Sequence, residues 1–383
     1  MLIKNAIIHD AIHPEPYEGD ILIKDGKLVS VGAAIEGEDD VIDASGLHAY
    51  PGFVDAHSHI GLDGYGGPTG NTYDYNEMND IVSPQLRGLD SYYAQDAAIP
   101  MALEGGVVTV AAGPGSANVL GGTFLAAKLY GNTVEEAMIK PEVAMKCAFG
   151  ENPKRCYRDK RDSARMTTAA ILRETLFEAR DYMLRKEAAD GDITKMPKFD
   201  MKMEALIPVM KGEMPLKAHA HRSDDIMTAI RIAKEFDLKI TIEHCTEGHL
   251  IVDELKAAGV PVAVGPTLSN ASKLELLNKS WTTPGILAAA GIQVSIITDA
   301  PVIPQEYLPL CAGLAVKAGM DPFKALQAIT INPAKHIGIE DRVGSLEAGK
   351  DADVVLTDGD PMVSDTVVKY VIVDGKVRVN HGK

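Results

Sequence analysis

Residues 51–59 read PGFVDAHSH, a short apolar run that ends in two histidines separated by one serine. The run has the length and apolar character of a buried β-strand. Side chains two positions apart on a strand point to the same side, so His57 and His59 are expected to enter one cavity. Two imidazoles on one face suit a borderline metal such as zinc, although this spacing alone is as typical of polar residues at a strand end.

Seven further apolar runs follow, and helical stretches separate many of them. The eight predicted strands cover residues 52–57, 107–112, 122–127, 142–148, 216–221, 239–244, 260–265 and 292–299. Strands that alternate with helices predict parallel βα units, and eight such units fit a (β/α)8 TIM-type barrel, an α/β fold. An open doubly wound sheet is the alternative, but no G-x-G-x-x-G motif opens a helix after the first strand.

The two ends of the chain are rich in predicted β-structure. Short apolar runs there are separated by the turn sequence Asp-Gly-Lys, at residues 25–27 and again at 374–376. Asp-Gly between apolar runs predicts a hairpin. Neither end has enough apolar surface for its own core. Residues 1–50 and 343–383 are therefore expected to pair into one small β-sandwich domain, with the barrel of residues 51–342 inserted between them.

Composition narrows the class of protein. Of the 383 residues, 46% are hydrophobic and 24% charged, which excludes a disordered or collagen-like chain. No apolar run reaches the roughly 20 residues of a membrane span, and the charged start of the chain does not read as a secretory signal. The net charge of −16 argues against binding to nucleic acid. The four scattered cysteines predict neither a disulfide framework nor a zinc ribbon. We therefore expect a cytoplasmic protein that acts on a small molecule.

Three later predicted strands end in residues that bind metals or carry protons. His219 and His221 end the fifth strand, His244 ends the sixth and Asp299 ends the eighth. A barrel builds its active site at the carboxyl ends of its strands, so these side chains are expected to meet the two histidines of the first strand. The chain has only eleven histidines, and chance does not readily place so many of them at strand ends.

The motifs resemble those of a known family. Residues 51–59 resemble the first barrel strand of the amidohydrolase superfamily, and GGVVTV at 105–110 resembles its second. NPAK at 332–335 and GSLEAGKDAD at 344–353 resemble its return to the terminal β-domain. The resemblance covers essentially the whole chain and is closest to the imidazolonepropionase-like branch, which also contains dipeptidases and cyclic-amide hydrolases.

That resemblance implies a hydrolase in which metal-activated water attacks the C–N bond of a cyclic amide or a peptide-like amide. The alternative is an aminohydrolase that deaminates a ring with the same side chains. A third possibility, a non-catalytic relative, is disfavoured because such a protein would be expected to lose its histidines. Barrels of this kind in the family are usually oligomeric, so the resemblance also implies a homo-oligomer.

Individual roles follow from the same resemblance. The implied ligands of one or two divalent ions, zinc by preference, are His57, His59, His219, His244 and Asp299. Asp299 would also act as the general base toward water and then deliver the proton to the leaving nitrogen. His221 would lie near the substrate as a second catalytic residue. Because both histidines of the fifth strand should face inward, His221 stays the alternative to His219 as ligand.

The ligand that bridges two metals is open between two residues near the fourth strand. Some two-metal members use a carboxylated lysine, for which Lys146 is well placed, and others use a glutamate, for which Glu151 stands at the loop. Glu151 is preferred because Lys146 lies deeper, although Lys146 paired with an inner carboxylate and a solvated Glu151 stays possible. Arg155, together with Lys154, follows and is expected to bind a substrate carboxylate.

Loops after the strands are expected to form the walls of the substrate site. These are the glycine-rich residues 61–71 and the long insert 150–215, which contains an amphipathic helix near residues 166–185. The glycine-rich residues 113–122 lack the Gly-Lys-Ser/Thr of a phosphate loop and are predicted to lie on the barrel rim. His249, beyond the sixth strand, is predicted to be an ordinary loop histidine.

Overall fold

The fold contains two eight-stranded sheets. The computed structural model describes residues 1–32, 34–36, 40–63, 74–160 and 163–382. The strands are β1 (Leu2–Ile8), β2 (Tyr17–Lys24), β3 (Lys27–Val31), β4 (Val41–Asp43), β5 (His48–Pro51), β6 (Phe53–Ser58), β7 (Val107–Ala112), β8 (Leu120–Lys128), β9 (Met138–Ala148), β10 (Leu216–Ala220), β11 (Ile240–His244), β12 (Val262–Val264), β13 (Val294–Ile296), β14 (Val354–Thr357), β15 (Val368–Val373) and β16 (Lys376–Asn380). The predicted glycine-rich loop at 61–71 lies mostly outside the described residues.

Helices connect and cover these strands. They are α1 (Ala98–Glu104), α2 (Val134–Ala137), α3 (Glu151–Cys156), α4 (Arg165–Ala188), α5 (Met201–Met210), α6 (Ser223–Phe236), α7 (Val252–Ala258), α8 (Thr283–Ala289), α9 (Leu308–Lys317), α10 (Pro322–Ala328) and α11 (Ile331–His336). A helix is present where one was expected near residues 166–185, as α4, but its apolar residues are not confined to one face, because Phe177 is exposed. Leu172 and Leu176 on its inner face belong to the same buried cluster as Ile230 of α6. Within the described ranges, no helix is long and apolar enough to cross a membrane.

The barrel sheet runs from β6 to β13 in chain order. All of its strand pairs are parallel except those of β8, which is antiparallel to both β7 and β9. The prediction of parallel strands throughout is therefore wrong at β8. Only residues 113–119 join β7 to β8, and a parallel crossover needs a dozen residues or more. The result is a mixed, nearly closed barrel, consistent with the predicted fold class.

Side chains link the two end strands of this sheet. The carboxylate of Asp55 on β6 is completely buried. Its Oδ2 accepts hydrogen bonds from the Thr298 amide at 3.0 Å and hydroxyl at 2.6 Å, just beyond β13. Gln305 Nε2 donates to the same oxygen at 2.7 Å. Because a buried carboxylate is costly without such partners, these bonds hold β6 against the end of β13.

The second sheet joins the two ends of the chain in the order β16-β15-β14-β5-β1-β2-β3, with β4 beside β1. Both predicted hairpins are confirmed. Asp25 and Gly26 have φ of 50° and 74°, and Asp374 and Gly375 have φ of 47° and 71°, as a two-residue type I′ turn requires. The two-layer sandwich and the exact domain boundaries stay predictions.

One buried lysine fastens the barrel to the terminal sheet. Lys128, at the end of β8, places its Nζ 2.8 Å from Asp351 Oδ2 and 3.1 Å from Asp353 Oδ1, and it also contacts Asp374. Burial disfavours the charge of Lys128, but the three carboxylates outweigh burial and raise its pKa to about 12. The contact thus joins a barrel strand to the segment around β14 and to the β15–β16 turn.

Candidate metal centre

Five histidines and one aspartate meet at the carboxyl end of the barrel. They are His57, His59, His219, His221, His244 and Asp299. The histidines are buried, and the side chain of Asp299 is 15% exposed. Two sets of three could each hold a metal ion, with ligand atoms within 4.8 Å of one another: His219, His221 and His244, and His57, His244 and Asp299. The predicted convergence of these side chains is therefore present in the fold.

Hydrogen bonds fix the orientation of three of these rings. His59 Nδ1 lies 2.7 Å from the Gly113 carbonyl oxygen, and His244 Nδ1 lies 2.8 Å from that of Gly265. His57 Nδ1 lies 3.0 Å from Glu243 Oε2. A carbonyl or carboxylate oxygen only accepts, so Nδ1 carries the proton in each ring and Nε2 keeps its lone pair for the cavity. Such bonds are the usual outer support of metal-binding histidines.

Several inward-facing acceptor atoms of the centre lack a hydrogen-bond donor. His57 Nε2 and His59 Nε2 lie 3.5 and 3.3 Å from Asp299 Oδ1, so three acceptor atoms converge. In the described part of the chain, the buried Nε2 atoms of His219 and His244 have no hydrogen-bond partner. An unsatisfied buried acceptor costs about 1–3 kcal/mol. A divalent cation is the partner that this set of imidazoles and carboxylate fits.

The two histidines at the end of β10, His219 and His221, differ in their hydrogen-bond partners. His219 Nδ1 is bonded to Ser116 Oγ at 2.8 Å, which leaves its Nε2 free of hydrogen bonds within the described residues. His221 Nδ1 is 2.8 Å from Thr246 Oγ1, and its Nε2 faces Lys273 Nζ at 3.5 Å. His219 Nε2 is therefore open to a ligand, whereas His221 Nε2 already has a neighbouring donor, although both histidines belong to one set of possible ligands.

Burial sets the charge of the imidazoles. It lowers the pKa of His219 and His221 well below the ordinary value and that of His244 to about 4. The neutral form that results is the one that binds metals. For Asp299, burial favours the protonated acid, but His244 and His59 outweigh burial and hold its pKa below the ordinary range. A carboxylate at Asp299 and neutral imidazoles at His219, His221 and His244 are thus the expected species at neutral pH.

Lys146 reaches this centre, and Glu151 does not. Lys146 Nζ is completely buried and lies 3.3 Å from His57 Nε2, and burial lowers its pKa to about 8. The chain leaves β9 at Ala148 and begins α3 at Glu151, whose backbone amide donates to Glu275 Oε2 at 2.9 Å. Glu151 belongs to neither set of possible ligands among the described residues. The arrangement favours Lys146 over Glu151, the reverse of the preference drawn from sequence.

A buried glutamate beneath the centre was missed by the sequence interpretation. Glu243 accepts hydrogen bonds from Lys217 Nζ and His336 Nε2, both at 2.8 Å, and from Thr241 Oγ1 at 2.7 Å, besides the bond to His57. Although burial favours its neutral form, Lys217 and His336 hold its pKa well below the ordinary value. Charged residues inside the otherwise apolar strands β10 and β11 were the signal for this network.

A cavity of about 390 Å³ opens onto the metal centre. The residues that line it are His59, Tyr75, Asn76, Ser116, Ala117, Asn152, Arg155, Cys156, His219, His221, Pro266, Ser269, Asn270, Ser272, Lys273, Leu276, Asp299, Pro301 and Val302. Arg155 is therefore where the sequence placed it, whereas Lys154 is not among these residues. The rim segment 113–119 contributes Ser116 and orients two of the histidines. His249 lies outside the cavity, where its Nδ1 is 2.9 Å from Thr283 Oγ1.

Comparison with known proteins relates the chain to one protein family. A family profile described as "Amidohydrolase family" matches residues 49–378. The chain is 29% identical to "Amidohydrolase tasK" of Hapsidospora irregularis, over 93% of this chain and 39% of that protein. It is 24% identical to an adenine deaminase of Methanosphaera stadtmanae (98% of this chain, 58% of that protein) and to a dihydroorotase of Elusimicrobium minutum (93% and 88%).

The chain thus spans about two fifths of the first of these relatives and 58% of the second. Among solved structures, it resembles an amidohydrolase from Thermotoga maritima with a TM-score of 0.95 and 42% identity. That match covers 99% of this chain and 100% of the other. The similarity therefore extends over both sheets.

Proposed function

Since this chain belongs to the amidohydrolase family, we propose that it is a metal-dependent hydrolase that cleaves the C–N bond of a cyclic amide or a peptide-like amide. The observation that carries the proposal is the pair of buried Nε2 atoms of His219 and His244, without hydrogen-bond partners in the described residues, beside the carboxylate of Asp299. The relatives support the reaction class, because they are hydrolases that act on C–N bonds.

The ligands in this proposal are His57, His59, His219, His244 and Asp299. Lys146 would help to hold a second ion only after carboxylation of its Nζ, which lies 3.3 Å from His57 Nε2. A divalent ion, zinc by preference, supplies Lewis acidity when bound there, so that water becomes a stronger acid and an amide carbonyl a better electrophile. The Nδ1–H bonds to Gly113, Gly265 and Glu243 hold three of the imidazoles with their lone pairs toward the ion.

Asp299 moves the proton in this reaction. Its depressed pKa keeps the carboxylate ionised at neutral pH, which is the form that accepts a proton from the attacking water. An amide nitrogen leaves poorly as an anion, so the proton must reach it before the C–N bond breaks. We assign that delivery to Asp299, since its side chain lines the cavity in which the substrate would lie.

His221 orients the substrate. Its ring lines the same cavity, and Thr246 and Lys273 fix it from either side. Because burial keeps it uncharged, His221 contributes hydrogen bonding rather than charge. Exchange to alanine is expected to raise KM and lower kcat while the metal content stays unchanged.

Metal analysis of the purified protein, followed by a screen of cyclic amides, N-acyl amino acids and dipeptides, tests the proposal. His219→Ala should lose most of the bound metal and the activity, because it removes one of the two unpartnered Nε2 atoms. His249→Ala is the matched control, since His249 lies outside the centre. Full amide hydrolysis by metal-free protein would overturn the mechanism.

A second candidate reaction is hydrolytic deamination of a ring, supported by the adenine deaminase relative. The same side chains would serve, because water again attacks a carbon bonded to nitrogen. The two reactions differ in product. Deamination releases ammonia, whereas the opening of a cyclic amide releases none. Coupled detection of ammonia from a panel of aminated heterocycles therefore distinguishes them.

A further inference from the structure

The cavity at the metal centre has a charge opposite to that of the chain. The chain has 54 acidic and 38 basic residues. Among the residues that line the cavity, Arg155 and Lys273 are basic and Asp299 alone is acidic. Asp299 belongs to the metal centre. The part of the lining made of Asn152, Arg155 and Lys273, called here the cationic wall, therefore presents positive charge without a lining carboxylate.

Arg155 supplies the accessible charge of this wall. It lies in the last turn of α3, its side chain is exposed, and it lines the cavity. None of the ion pairs within the described ranges includes its guanidinium. A guanidinium presents a planar fork of N–H donors that matches a carboxylate with two parallel hydrogen bonds. Arg155 is thus able to bind an anion without first breaking an internal ion pair.

Lys273 is held in place behind it. Its Nζ donates to Asn152 Oδ1 and to Glu275 Oε1, both at 3.0 Å, and the side chain is 13% exposed. Glu275 is completely buried, and its other oxygen accepts from the Glu151 amide at 2.9 Å and from Arg165 at 3.5 Å. Because the charge of Glu275 is shared among these donors, Lys273 keeps attraction for a further anion and is already oriented for it.

We propose that the cationic wall binds the carboxylate of the substrate, so that the preferred substrates are amides that carry a free carboxylate. This inference rests on the proposed amide hydrolysis and specifies its substrate class. The net charge of −16 disfavours anions at a distance, where salt screens it. Selection of an anion then depends on local contacts, which Arg155 and Lys273 supply next to the metal centre.

A pair of uncleavable probes tests the wall by binding alone. N-Methanesulfonyl-leucine carries a carboxylate, and N-methanesulfonyl-leucinol replaces it with a neutral alcohol. On the zinc-loaded protein, calorimetry should give an affinity for the carboxylate at least about tenfold above that for the alcohol, the size expected for hydrogen bonds to a charged group. A carboxylate that binds only to the metal gives the same preference, so variants must separate the two cases.

Arg155→Met should weaken carboxylate binding by about tenfold and leave alcohol binding unchanged. Arg158→Met is the control, because it removes the same charge from an exposed residue three positions away that does not line the cavity. Lys273→Met is the second variant, with its melting temperature measured because Glu275 loses a partner. A carboxylate-specific loss in either variant supports the proposal. Unchanged affinity in both, or an equal loss in Arg158→Met, overturns it.

The outcome is independent of turnover. If no amide is hydrolysed but the wild-type protein prefers the carboxylate probe through Arg155, the proposed reaction fails and the wall stands. If amides are hydrolysed and Arg155→Met and Lys273→Met bind both probes as the wild type does, the reaction stands and the wall is overturned.

Discussion

At the scale of single residues, Glu243 is a buried carboxylate near the metal centre whose charge must be balanced by its neighbours. It is completely buried, balances the charge of Lys217 and fixes the Nδ1 proton of His57. Glu243→Gln keeps the shape but removes the counter-ion of a buried lysine. We expect a loss of about 3–5 kcal/mol in unfolding free energy and a 10- to 100-fold loss in metal affinity.

Chelator competition and chemical denaturation measure these two effects. Thr241→Val is the matched control, because it removes one neutral hydrogen bond to the same carboxylate and should cost only about 1 kcal/mol. If Glu243→Gln binds metal and unfolds as the wild type does, Glu243 has no positioning role.

A variant of Asp299 distinguishes its proposed role as general base from its proposed role as metal ligand. Asp299→Asn keeps the shape and one oxygen but removes the basicity. We expect metal content to stay largely intact while kcat falls by at least about 100-fold, with a smaller change in KM. Elemental analysis and steady-state kinetics on the same preparation measure both. Near wild-type turnover would mean that another group is the base, whereas loss of the metal would mean that Asp299 is mainly a ligand.

At the scale of secondary-structure elements, the positions of the strands were predictable from the sequence and the direction of β8 was not. Apolar runs mark where a strand lies, and they contain no information on which way it runs. The short connection of residues 113–119 was the available signal. The rule that neighbouring side chains on a strand point to opposite sides also fails at β11. Glu243 and His244 are adjacent, yet Glu243 bonds to His57 and His244 is itself a possible metal ligand. His244 has φ of 71°, which breaks the regular strand at its last residue.

The contact of β8 with the terminal sheet makes a prediction at the same scale. Lys128→Met leaves the buried Asp353 without its cation. It also removes one of the three cations around Asp351, which keeps Lys27 and Arg342. Breaking such a pair costs about 3–5 kcal/mol, so the melting temperature should fall clearly at neutral pH. Tyr130→Phe, which removes only a neutral donor to Asp374, should have a much smaller effect. An unchanged melting temperature in Lys128→Met would contradict a fastening role.

The pH dependence of stability follows from the same contact. Burial would raise the pKa of Asp351, but Lys128, Lys27 and Arg342 outweigh it and lower the pKa to about 2 from 3.8. A carboxyl with a depressed pKa in the folded state contributes stability above its unfolded pKa and loses it as pH falls. The stability that Asp351 contributes should therefore be lost between about pH 4 and pH 2, and Lys128→Met should lose less over that range. Parallel melting curves would contradict this.

At the scale of the whole molecule, the exposed apolar side chains of the long insert favour association. Ile193, Phe199 and Met201 are exposed to 85%, 71% and 60%. Three large apolar side chains exposed within residues 193–201 would mark an interface if they form one patch on the surface. We expect a dimer or a larger homo-oligomer by light scattering, and Phe199→Glu should shift it toward the monomer. The exposed Val29→Glu in β3, on the terminal sheet, is the control. A monomeric wild-type protein at micromolar concentration would contradict this prediction.

The pairing of β5 with β14 affects how the chain folds while the ribosome is still synthesising it. The strands β1 to β5 leave the ribosome before the barrel does, yet one edge of their sheet stays open until residue 354 and its successors have followed. At a synthesis rate of roughly 5–20 residues per second, that interval is on the order of tens of seconds. An open strand edge is a template for pairing with another nascent chain. The newly synthesised chain should therefore depend on chaperones for longer than a barrel protein in which the two ends of the chain do not pair into one sheet.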